Sequence, residues 1–415
     1  MPAALWREMQ SQRLRCLLIH AQKHIPYYRE VFQSVGFDPT TADLPADMKK
    51  LPVLSKAEVR GYLGRLQMEE QPASPIYENA TGGSTGEPLK FYQDARYRST
   101  AAALDAYVLS WWGVKPYDRT GFVWGADREF HEQSIRERLY EWRARRRGLN
   151  AFRMNETSLG KFCQMLLEWK PPYLMGYSSA LEAMARHVSK HGVKGVTCKA
   201  IRSSAEVLWP HQRRLIEETF QSPVYNFYGS REVNNIAAEC PEGRRLHCVS
   251  TWRYIEVVDS YGMPLPDGQV GHIVVTDLSN FYMPFIRYRN DDMGSLSSEP
   301  CSCGRPSPTI DQLMGRSSDL LRTKAGDLVH GEWVTHLFYG CDSIRRFQLH
   351  QTSLDRIILK YVPIGVPPDG LLPSIQEKIR GRMGQDMKVD LEACEDIPVP
   401  PSGKYRFTLS SIPMS

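Results

Sequence analysis

Residues 171–192 read PPYLMGYSSALEAMARHVSKHG, and this stretch decides the fold class. It predicts a strand, a turn and a helix. Residues 199–220, KAIRSSAEVLWPHQRRLIEETF, and residues 222–233, SPVYNFYGSREV, repeat the same alternation. Strands that alternate with helices at these spacings predict a mostly parallel sheet with helices on its faces. The fold class is therefore predicted as α/β.

Downstream of about Cys248 the pattern becomes rich in strands. Residues 251–260, TWRYIEVVDS, and residues 271–278, GHIVVTDL, predict a hairpin or meander. The last hundred residues predict a small α+β domain with two paired strands, a helix and a further strand. The boundary is predicted between Leu313 and Arg322, which divides the chain into a domain over 1–314, β-rich at about 248–314, and a small domain over 315–415.

Composition and charge narrow the class of protein. Lysine and arginine number 52 and aspartate and glutamate 47, and the net charge of +5 is small for 415 residues. We therefore expect no nucleic-acid partner and no membrane partner. Residues 1–20 carry charges within each apolar stretch, which argues against a signal peptide. Nine cysteines without an export signal predict reduced thiols and a cytoplasmic protein; a homodimer is left open.

Residues 81–90, TGGSTGEPLK, combine three glycines with three hydroxyl side chains. Glycines let backbone N–H groups approach a polyphosphate, and the hydroxyls of Ser84 and Thr85 can donate to its oxygens. The loop is not a Walker A sequence, because Glu87 follows Gly86 where a lysine would be required. The alternative interpretation of these residues alone is a structural turn between two strands.

Four further motifs follow the glycine-rich loop, and together the five motifs extend over most of the chain. They are TGGSTGEP at 81–88, YGSRE at 228–232, RYRNDD at 287–292, GRSSD at 315–319 and GK at 403–404. This order resembles the adenylate-forming superfamily, and within it the phenylacetate–CoA ligase family and its shorter relatives of the capsular-polysaccharide-biosynthesis type. The resemblance implies a large N-terminal adenylate-forming α/β domain with a β-rich subdomain, and a small mobile C-terminal α+β domain.

The resemblance implies an ATP site with Mg²⁺. The glycine-rich loop would hold the β- and γ-phosphates, Tyr228 would flank the adenine, and Asp292 would accept hydrogen bonds from the ribose hydroxyls. Glu232 would ligate Mg²⁺, which takes hard oxygen ligands. The nucleotide-binding positions implied in this way are Thr81, Gly83, Ser84, Thr85, Gly86, Ser204, Ala205, Glu206, Tyr228, Gly229, Ser230, Asp292 and Arg316.

The catalytic residues implied by the resemblance are Lys404, Glu232 and Thr85. Lys404 would contact both a substrate carboxylate and the α-phosphate, and a positioned cation stabilises two anions that are brought together. Without the resemblance, a lysine in the loop PPSGKYRF is an ordinary solvated side chain. The acyl pocket is expected to be walled by aromatic residues, namely Trp124, Tyr177 and Tyr228.

The implied reaction is ATP-dependent activation of a small carboxylic acid as acyl-AMP, followed by transfer to coenzyme A. An aryl or arylacetic acid is the expected substrate. One alternative is transfer to an amine or to the phosphopantetheine of a carrier protein, and a second is a non-catalytic member of the fold.

The chain departs from the family pattern at three places. Glu87 stands where a lysine is usual, Asn290 and Asp291 precede Asp292 where threonine and glycine are usual, and Ser318 replaces a hinge aspartate. The basic run WRARRRG at 142–148 is interpreted as the solvated face of a helix, with contact to coenzyme A phosphates as the alternative.

Cysteine and histidine residues form a second candidate site, separate from the nucleotide site. Cys301 and Cys303 form a CxC pair, and Cys240, His247 and Cys248 lie upstream. We select Cys240, His247, Cys301 and Cys303 as four ligands of a closed, structural Zn²⁺ site. The alternative is a set of buried free thiols in β-rich turns.

Overall fold

The computed structural model describes residues 2–81, 89–124, 143–151, 154–249, 251–316, 320–329, 333–334, 337–338, 341, 343–398 and 406–412. The chain divides into two compact units. The first comprises Met1–Asn290 and Gly294–Leu313, and the second comprises Asp291–Met293 and Met314–Ser415. Among the described residues, no helix combines the length and the apolar character needed to cross a membrane.

The α-helices among the described residues are amphipathic segments of six to 22 residues. They are α1 (Ala3–His24), α2 (Pro26–Ser34), α3 (Lys56–Gly61), α4 (Ala95–Trp111), α5 (Glu156–Trp169), α6 (Ser178–Lys190), α7 (Pro210–Phe220) and α8 (Leu371–Met383). A 3₁₀ helix spans Ala46–Lys50.

The strands form one large sheet and smaller ones. They are β1 (Ile76–Ala80), β2 (Lys90–Asp94), β3 (Thr120–Trp124), β4 (Arg146–Asn150), β5 (Tyr173–Tyr177), β6 (Ala200–Ser204), β7 (Val224–Tyr228), β8 (Ala237–Glu239), β9 (Leu246–Cys248), β10 (Arg253–Val258), β11 (Gly271–Asp277), β12 (Tyr288–Ser297), β13 (Thr309–Arg316), β14 (Leu321–Arg322), β15 (Leu328–Val329), β16 (Ile344–Ser353), β17 (Arg356–Pro363), β18 (Lys388–Ala393) and β19 (Thr408–Ser410).

The large sheet has eleven strands in the order β10-β11-β12-β13-β9-β8-β7-β6-β5-β3-β4. Strands β4, β3, β5, β6 and β7 are parallel, and the sheet turns antiparallel where β8 pairs with β7. The mixed sheet with helices between its parallel strands confirms the predicted α/β class. The predicted hairpin is β10–β11, in which Arg253 is opposite Asp277.

Helix α6 shows why the opening stretch folds as it does. Its buried residues Leu181, Met184, Ala185 and Val188 follow the spacing i, i+3, i+4 and i+7, which places them on one face. That face packs into the same core cluster as Val123 of β3, Leu174 of β5 and Ile201 of β6. The helix therefore covers the parallel strands and fixes where their carboxyl ends lie.

The second unit contains a four-stranded sheet in the order β18-β17-β16-β19. Helix α8 buries Ile375 and Ile379 in the cluster that also contains Leu349 and Leu359. The two paired strands, the helix and the following strand are the elements predicted for the last hundred residues.

The interpretation of the basic run 142–148 as the solvated face of a helix is wrong for its last three residues. Its residues Arg146, Arg147 and Gly148 lie in β4, the edge strand paired in parallel with β3, and not on the face of a helix. The Arg146 and Arg147 guanidinium groups lie over the rings of Phe122 and Trp169, at 4.9 and 4.7 Å from the ring centroids. Long basic side chains can occupy an edge strand because they stack on aromatic faces while their charge stays near water.

Candidate active site and candidate metal centre

The carboxyl ends of four neighbouring parallel strands form the edge at which α/β sheets bind ligands. Strands β3, β5, β6 and β7 end at Trp124, Tyr177, Ser204 and Tyr228 and are adjacent in the sheet. Four of the residues selected from the sequence are therefore brought to one edge.

Trp124 and Tyr177 form an aromatic pair at this edge. Their ring centroids are 4.4 Å apart and the ring planes are inclined by 40°. Tyr177 is buried and Trp124 is half-buried, so the indole presents part of its surface to solvent. Such a pair can form one wall of a pocket for an apolar or aromatic group.

The turn after β7 carries Gly229, Ser230 and Glu232. The Ser230 amide donates to the Val233 carbonyl over 2.9 Å, and the Val233 amide donates to Ser230 Oγ over 3.0 Å. A Cβ on Gly229 would lie 3.1 Å from the Asn235 amide nitrogen, so a side chain there would crowd the turn. The closed turn directs Glu232 inward, and only 5% of this residue is exposed.

Two side chains of β12 form hydrogen bonds with the first and last residues of the segment 228–232. The Tyr288 hydroxyl donates to Glu232 Oε1 over 2.8 Å, and Asn290 Nδ2 donates to the Tyr228 hydroxyl over 2.6 Å. Sequence reasoning assigned no role to Tyr288 or Asn290. Their spacing of two residues in a strand, which puts both side chains on one face, is the signal that could have paired them.

The base of the glycine-rich loop lies beside the same turn. The Thr81 amide donates to the Leu89 carbonyl over 3.0 Å, and the Leu89 amide donates to Thr81 Oγ1 over 2.9 Å. Gln93 Nε2 donates to the Arg231 carbonyl over 3.1 Å. The hairpin β1–β2 is thus closed by Thr81 and Leu89 and tied to the turn that carries Glu232.

The segment after β6 combines strain with a helix cap. Ala205 has a φ of +68°, a left-handed conformation that is rare for residues other than glycine. Glu206 Oε2 accepts a hydrogen bond from the Ser179 amide over 2.8 Å at the start of α6. A carboxylate at a helix N-terminus is stabilised by the helix dipole. In this structure the Glu206 carboxylate therefore stabilises the N-terminus of α6.

The remaining predicted positions fall into two groups. Asp292 lies in β12 and Arg316 ends β13, and both are partly exposed residues of the second compact unit. Gly83, Ser84, Thr85, Gly86 and Lys404 lie outside the described residues, as do the departures at Glu87 and Ser318.

Cys240, His247, Cys301 and Cys303 converge in the first unit. Their ligand atoms lie within 4.8 Å of one another. Cys240 Sγ is 3.7 Å from Cys301 Sγ, and Cys303 Sγ is 3.2 Å from His247 Nε2. Two sulfurs bound to one tetrahedral Zn²⁺ at about 2.3 Å are separated by about 3.8 Å. The four side chains selected from the sequence thus have spacings that suit this ion.

The surroundings of the cluster orient its ligands. His247 Nδ1 lies 3.2 Å from Ser307 Oγ, a contact that fixes the ring with Nε2 toward Cys303. Burial lowers the pKa of His247 to about 4, so its imidazole is neutral near pH 7. Burial raises the pKa of Cys240 to about 11. At Cys303 burial also raises the pKa, but hydrogen bonds with Arg305, Cys301 and Cys240 together outweigh it and lower the pKa. Cys248 lies outside this cluster.

Known proteins of similar sequence or structure include CapK proteins and acyl-CoA ligases. Residues 321–411 match the family described as the CapK C-terminal domain. Protein CapK of Staphylococcus aureus is 23% identical over 414 residues, covering 98% of this chain and 89% of that protein. A phenylacetate-coenzyme A ligase of Thermus thermophilus is 23% identical over 455 residues, covering 99% of this chain and 97% of that protein.

A solved 2-hydroxyisobutyryl-CoA ligase, in the postadenylation state with an acyl-AMP, superposes with a TM-score of 0.76 at 20% identity, covering 99% of this chain and 90% of that one. The fold is therefore that of the adenylate-forming enzymes. The sequence of the chain is similar to those of the phenylacetate–CoA ligases and of CapK, the resemblance that the order of its motifs indicated.

Proposed function

We propose that this protein is an AMP-forming acid–thiol ligase. A carboxylate oxygen attacks the α-phosphorus of ATP, and the bond to pyrophosphate breaks to give acyl-AMP. The thiol of coenzyme A then attacks the acyl carbon, and the carbon–oxygen bond to AMP breaks. The observation that carries the proposal is the buried Glu232, held by Tyr288 in the turn beside the base of the glycine-rich loop.

Glu232 is the residue proposed to hold Mg²⁺. Its carboxylate is nearly buried and, among the described residues, accepts a hydrogen bond from Tyr288 at Oε1; a bound cation would supply the charge compensation that a buried carboxylate requires. A Mg²⁺ ion held by Glu232 would neutralise part of the charge of the phosphates. The polyphosphate would then lie against the loop that begins after Thr81.

The other nucleotide contacts are proposed from the motifs. Gly83, Ser84, Thr85 and Gly86 would contact the β- and γ-phosphates. Gly229 and Ser230 would line the acyl-AMP site, and residues 204–206 would pass beside the adenine. The Asp292 carboxylate would accept hydrogen bonds from the ribose hydroxyls, and the Arg316 guanidinium would contact the ribose or a phosphate. Lys404 would stabilise the meeting of carboxylate and α-phosphate.

The acid is proposed to be aryl or arylacetic. The pair Trp124 and Tyr177 at the strand ends offers an aromatic wall, and Tyr228 ends the strand β7 of the same sheet edge. The names of the phenylacetate–CoA ligases that resemble this chain agree with such a substrate. Residues 315–415 are proposed to act as the lid domain that alternates between the two steps.

Zn²⁺ is proposed as a structural ion at Cys240, His247, Cys301 and Cys303. Four protein ligands complete a tetrahedral shell and leave no position for substrate. The ion would join the turn after β8 to the loop before β13. Removal of the ion should therefore lower stability and leave the order of the reaction steps unchanged.

Acid-dependent ATP–pyrophosphate exchange tests the proposal. The expected result is exchange with a member of an aryl and arylacetic acid panel, and its loss in Glu232→Gln. Glu69→Gln is the matched control, because Glu69 is an exposed carboxylate paired with Arg29. Absence of exchange with every acid would favour the non-catalytic alternative.

The acceptor is tested by repeating the reaction with coenzyme A. Formation of an acyl-CoA supports the ligase proposal. Adenylation without a thioester would instead favour the alternative in which an amine or the phosphopantetheine of a carrier protein receives the acyl group.

A further inference from the structure

Three ligand-type side chains that the proposed reaction does not use meet between α5 and α6. Glu156 is the first residue of α5, His187 lies in the last turn of α6, and His191 is the C-cap residue of that helix. Glu156 Oε2 lies 2.8 Å from His187 Nδ1 and 3.0 Å from His191 Nε2. All three ligand atoms lie within 4.8 Å of one another.

The spacing of these atoms suits a first-row transition-metal ion. Two ligands about 2.1 Å from one ion are separated by about 3.0 Å in an octahedral shell and by about 3.4 Å in the tetrahedral shell that Zn²⁺ prefers. The two distances from Glu156 Oε2 lie at the octahedral value, and small rotations of the exposed Glu156 and His191 side chains would open them to the tetrahedral one. His187 and His191 are four residues apart, which stacks their rings on one side of the helix, and the ring centroids are 4.4 Å apart. Two imidazoles with one carboxylate favour Zn²⁺ or Ni²⁺ over Mg²⁺ or Ca²⁺.

The surroundings position the three ligands and leave one side open. His187 is buried, and its Nε2 lies 3.7 Å from where a Cβ on Gly160 would stand, so the ring is packed with Nδ1 toward Glu156. Lys190 Nζ donates to the other carboxylate oxygen, Glu156 Oε1, over 2.7 Å, which leaves Oε2 as the oxygen nearest both rings. The Glu156 side chain is 62% exposed, so its carboxylate is accessible from solvent.

We propose that Glu156, His187 and His191 form a binding site for a divalent transition-metal ion of the Zn²⁺ class. Three protein ligands from two helices leave the remaining coordination positions to water. The ion tethers the N-terminus of α5 to the C-terminal end of α6, the helix that covers the parallel strands. The site is separate in sequence and in ligands from the cysteine cluster.

Calorimetric titration with Zn²⁺ alone tests this proposal on the full chain, after metal analysis has established the occupancy of the cysteine cluster. We expect one further equivalent of Zn²⁺ to bind. His191→Ala and Glu156→Gln should each weaken that equivalent at least tenfold, whereas Cys303→Ser should leave it in place. Both His191 and Glu156 are exposed, and circular dichroism checks that the variants fold.

The matched control is His24→Ala. His20 and His24 have the same spacing in α1, with ring centroids 4.7 Å apart, but the described residues bring no third ligand to that pair. An unchanged titration in His24→Ala supports the assignment. If no further equivalent binds, or if His191→Ala and Glu156→Gln titrate like the unaltered protein, the proposal is wrong.

Discussion

The buried hydroxyl of Tyr288 controls the orientation of the carboxylate that we propose for Mg²⁺. A hydrogen bond to a charged group contributes about 1.5–3 kcal/mol. We therefore expect Tyr288→Phe to raise the Mg²⁺ concentration for half-maximal ATP–pyrophosphate exchange about tenfold or more, because Glu232 Oε1 loses its donor. A Mg²⁺ titration of the exchange rate at saturating ATP measures the effect.

Tyr282→Phe is the control for Tyr288→Phe. Tyr282 is also buried, and its hydroxyl donates to Gln67 Oε1 over 3.0 Å. An equal change in the two variants would assign the effect to a general loss of packing and would contradict the positioning role of Tyr288.

Glu87 places a negative side chain in the loop proposed to bind phosphates. Like charges repel, and the repulsion is screened by salt. We expect Glu87→Lys to lower the KM for ATP several-fold at low ionic strength, with a smaller effect at high salt. Steady-state kinetics at two salt concentrations provide the measurement, and an unchanged or raised KM would mean that the side chain points away from the nucleotide.

Gly243 makes the turn after β8 compatible with the cysteine cluster. A Cβ at this position would overlap Cys301 Sγ and lie 3.6 Å from Cys240 Sγ. We expect Gly243→Ala to displace Cys301 and to reduce bound zinc from about one equivalent to well below one. Metal analysis of the purified variant tests this, beside a Cys301→Ser, Cys303→Ser variant as the reference for a lost site.

Gly61→Ala serves as the control for Gly243→Ala. Gly61 ends the short helix α3 and has no neighbour within 4 Å of an added Cβ. Its zinc content should match that of the unaltered protein. Full zinc content in Gly243→Ala or in the double cysteine variant would contradict the proposed centre.

Elements with local signals were predictable from sequence. The capping box of α3 is one, because Ser55 and Glu58 stand three residues apart before a helix, and the structure forms both of its hydrogen bonds. The edge strand β4 was not predictable, because its arginines resemble a solvated helix face. Strands β8, β9 and β19 have three residues each and are too short to show a periodicity.

In the candidate sites, too, some residues could be selected from the sequence and others could not. The motif at 228–232 was selected by its resemblance to a family motif, and the four Cys and His side chains were selected by residue type; the structure brings those four side chains together. The partners of Glu232 and Tyr228 were missed, since Tyr288 and Asn290 lie 56 and 62 residues from them in sequence. Strands β12 and β7 are not neighbours in the sheet, so these contacts arise from the tertiary fold of the first unit and not from a local pattern.

The whole protein is proposed to use two arrangements of its domains for two half-reactions. Lys404 should act only in the first, because it stabilises the charge that develops when the acid attacks ATP. We expect Lys404→Ala to lower ATP–pyrophosphate exchange by about 100-fold or more, while thioester formation from supplied acyl-AMP and coenzyme A is retained. Rapid-quench assays of the two steps separate these outcomes.

Lys360→Ala is the control for Lys404→Ala. Lys360 lies in the same compact unit and pairs with Glu392 on the sheet. Its exchange rate should be unaltered. Equal loss of both half-reactions in Lys404→Ala would indicate damage to the fold and would count against a step-specific role.

The two hydrogen bonds between Thr81 and Leu89 bear on how the sequence of such an enzyme can change during evolution. They join the described residues on either side of residues 82–88 and so close the hairpin β1–β2 next to its strands. Because these contacts do not use the enclosed residues, we expect substitutions among them to change the proposed phosphate contacts and to leave the closing contacts in place. The loop should therefore tolerate substitutions such as the one that gives Glu87. It is also a suitable segment to exchange between related proteins.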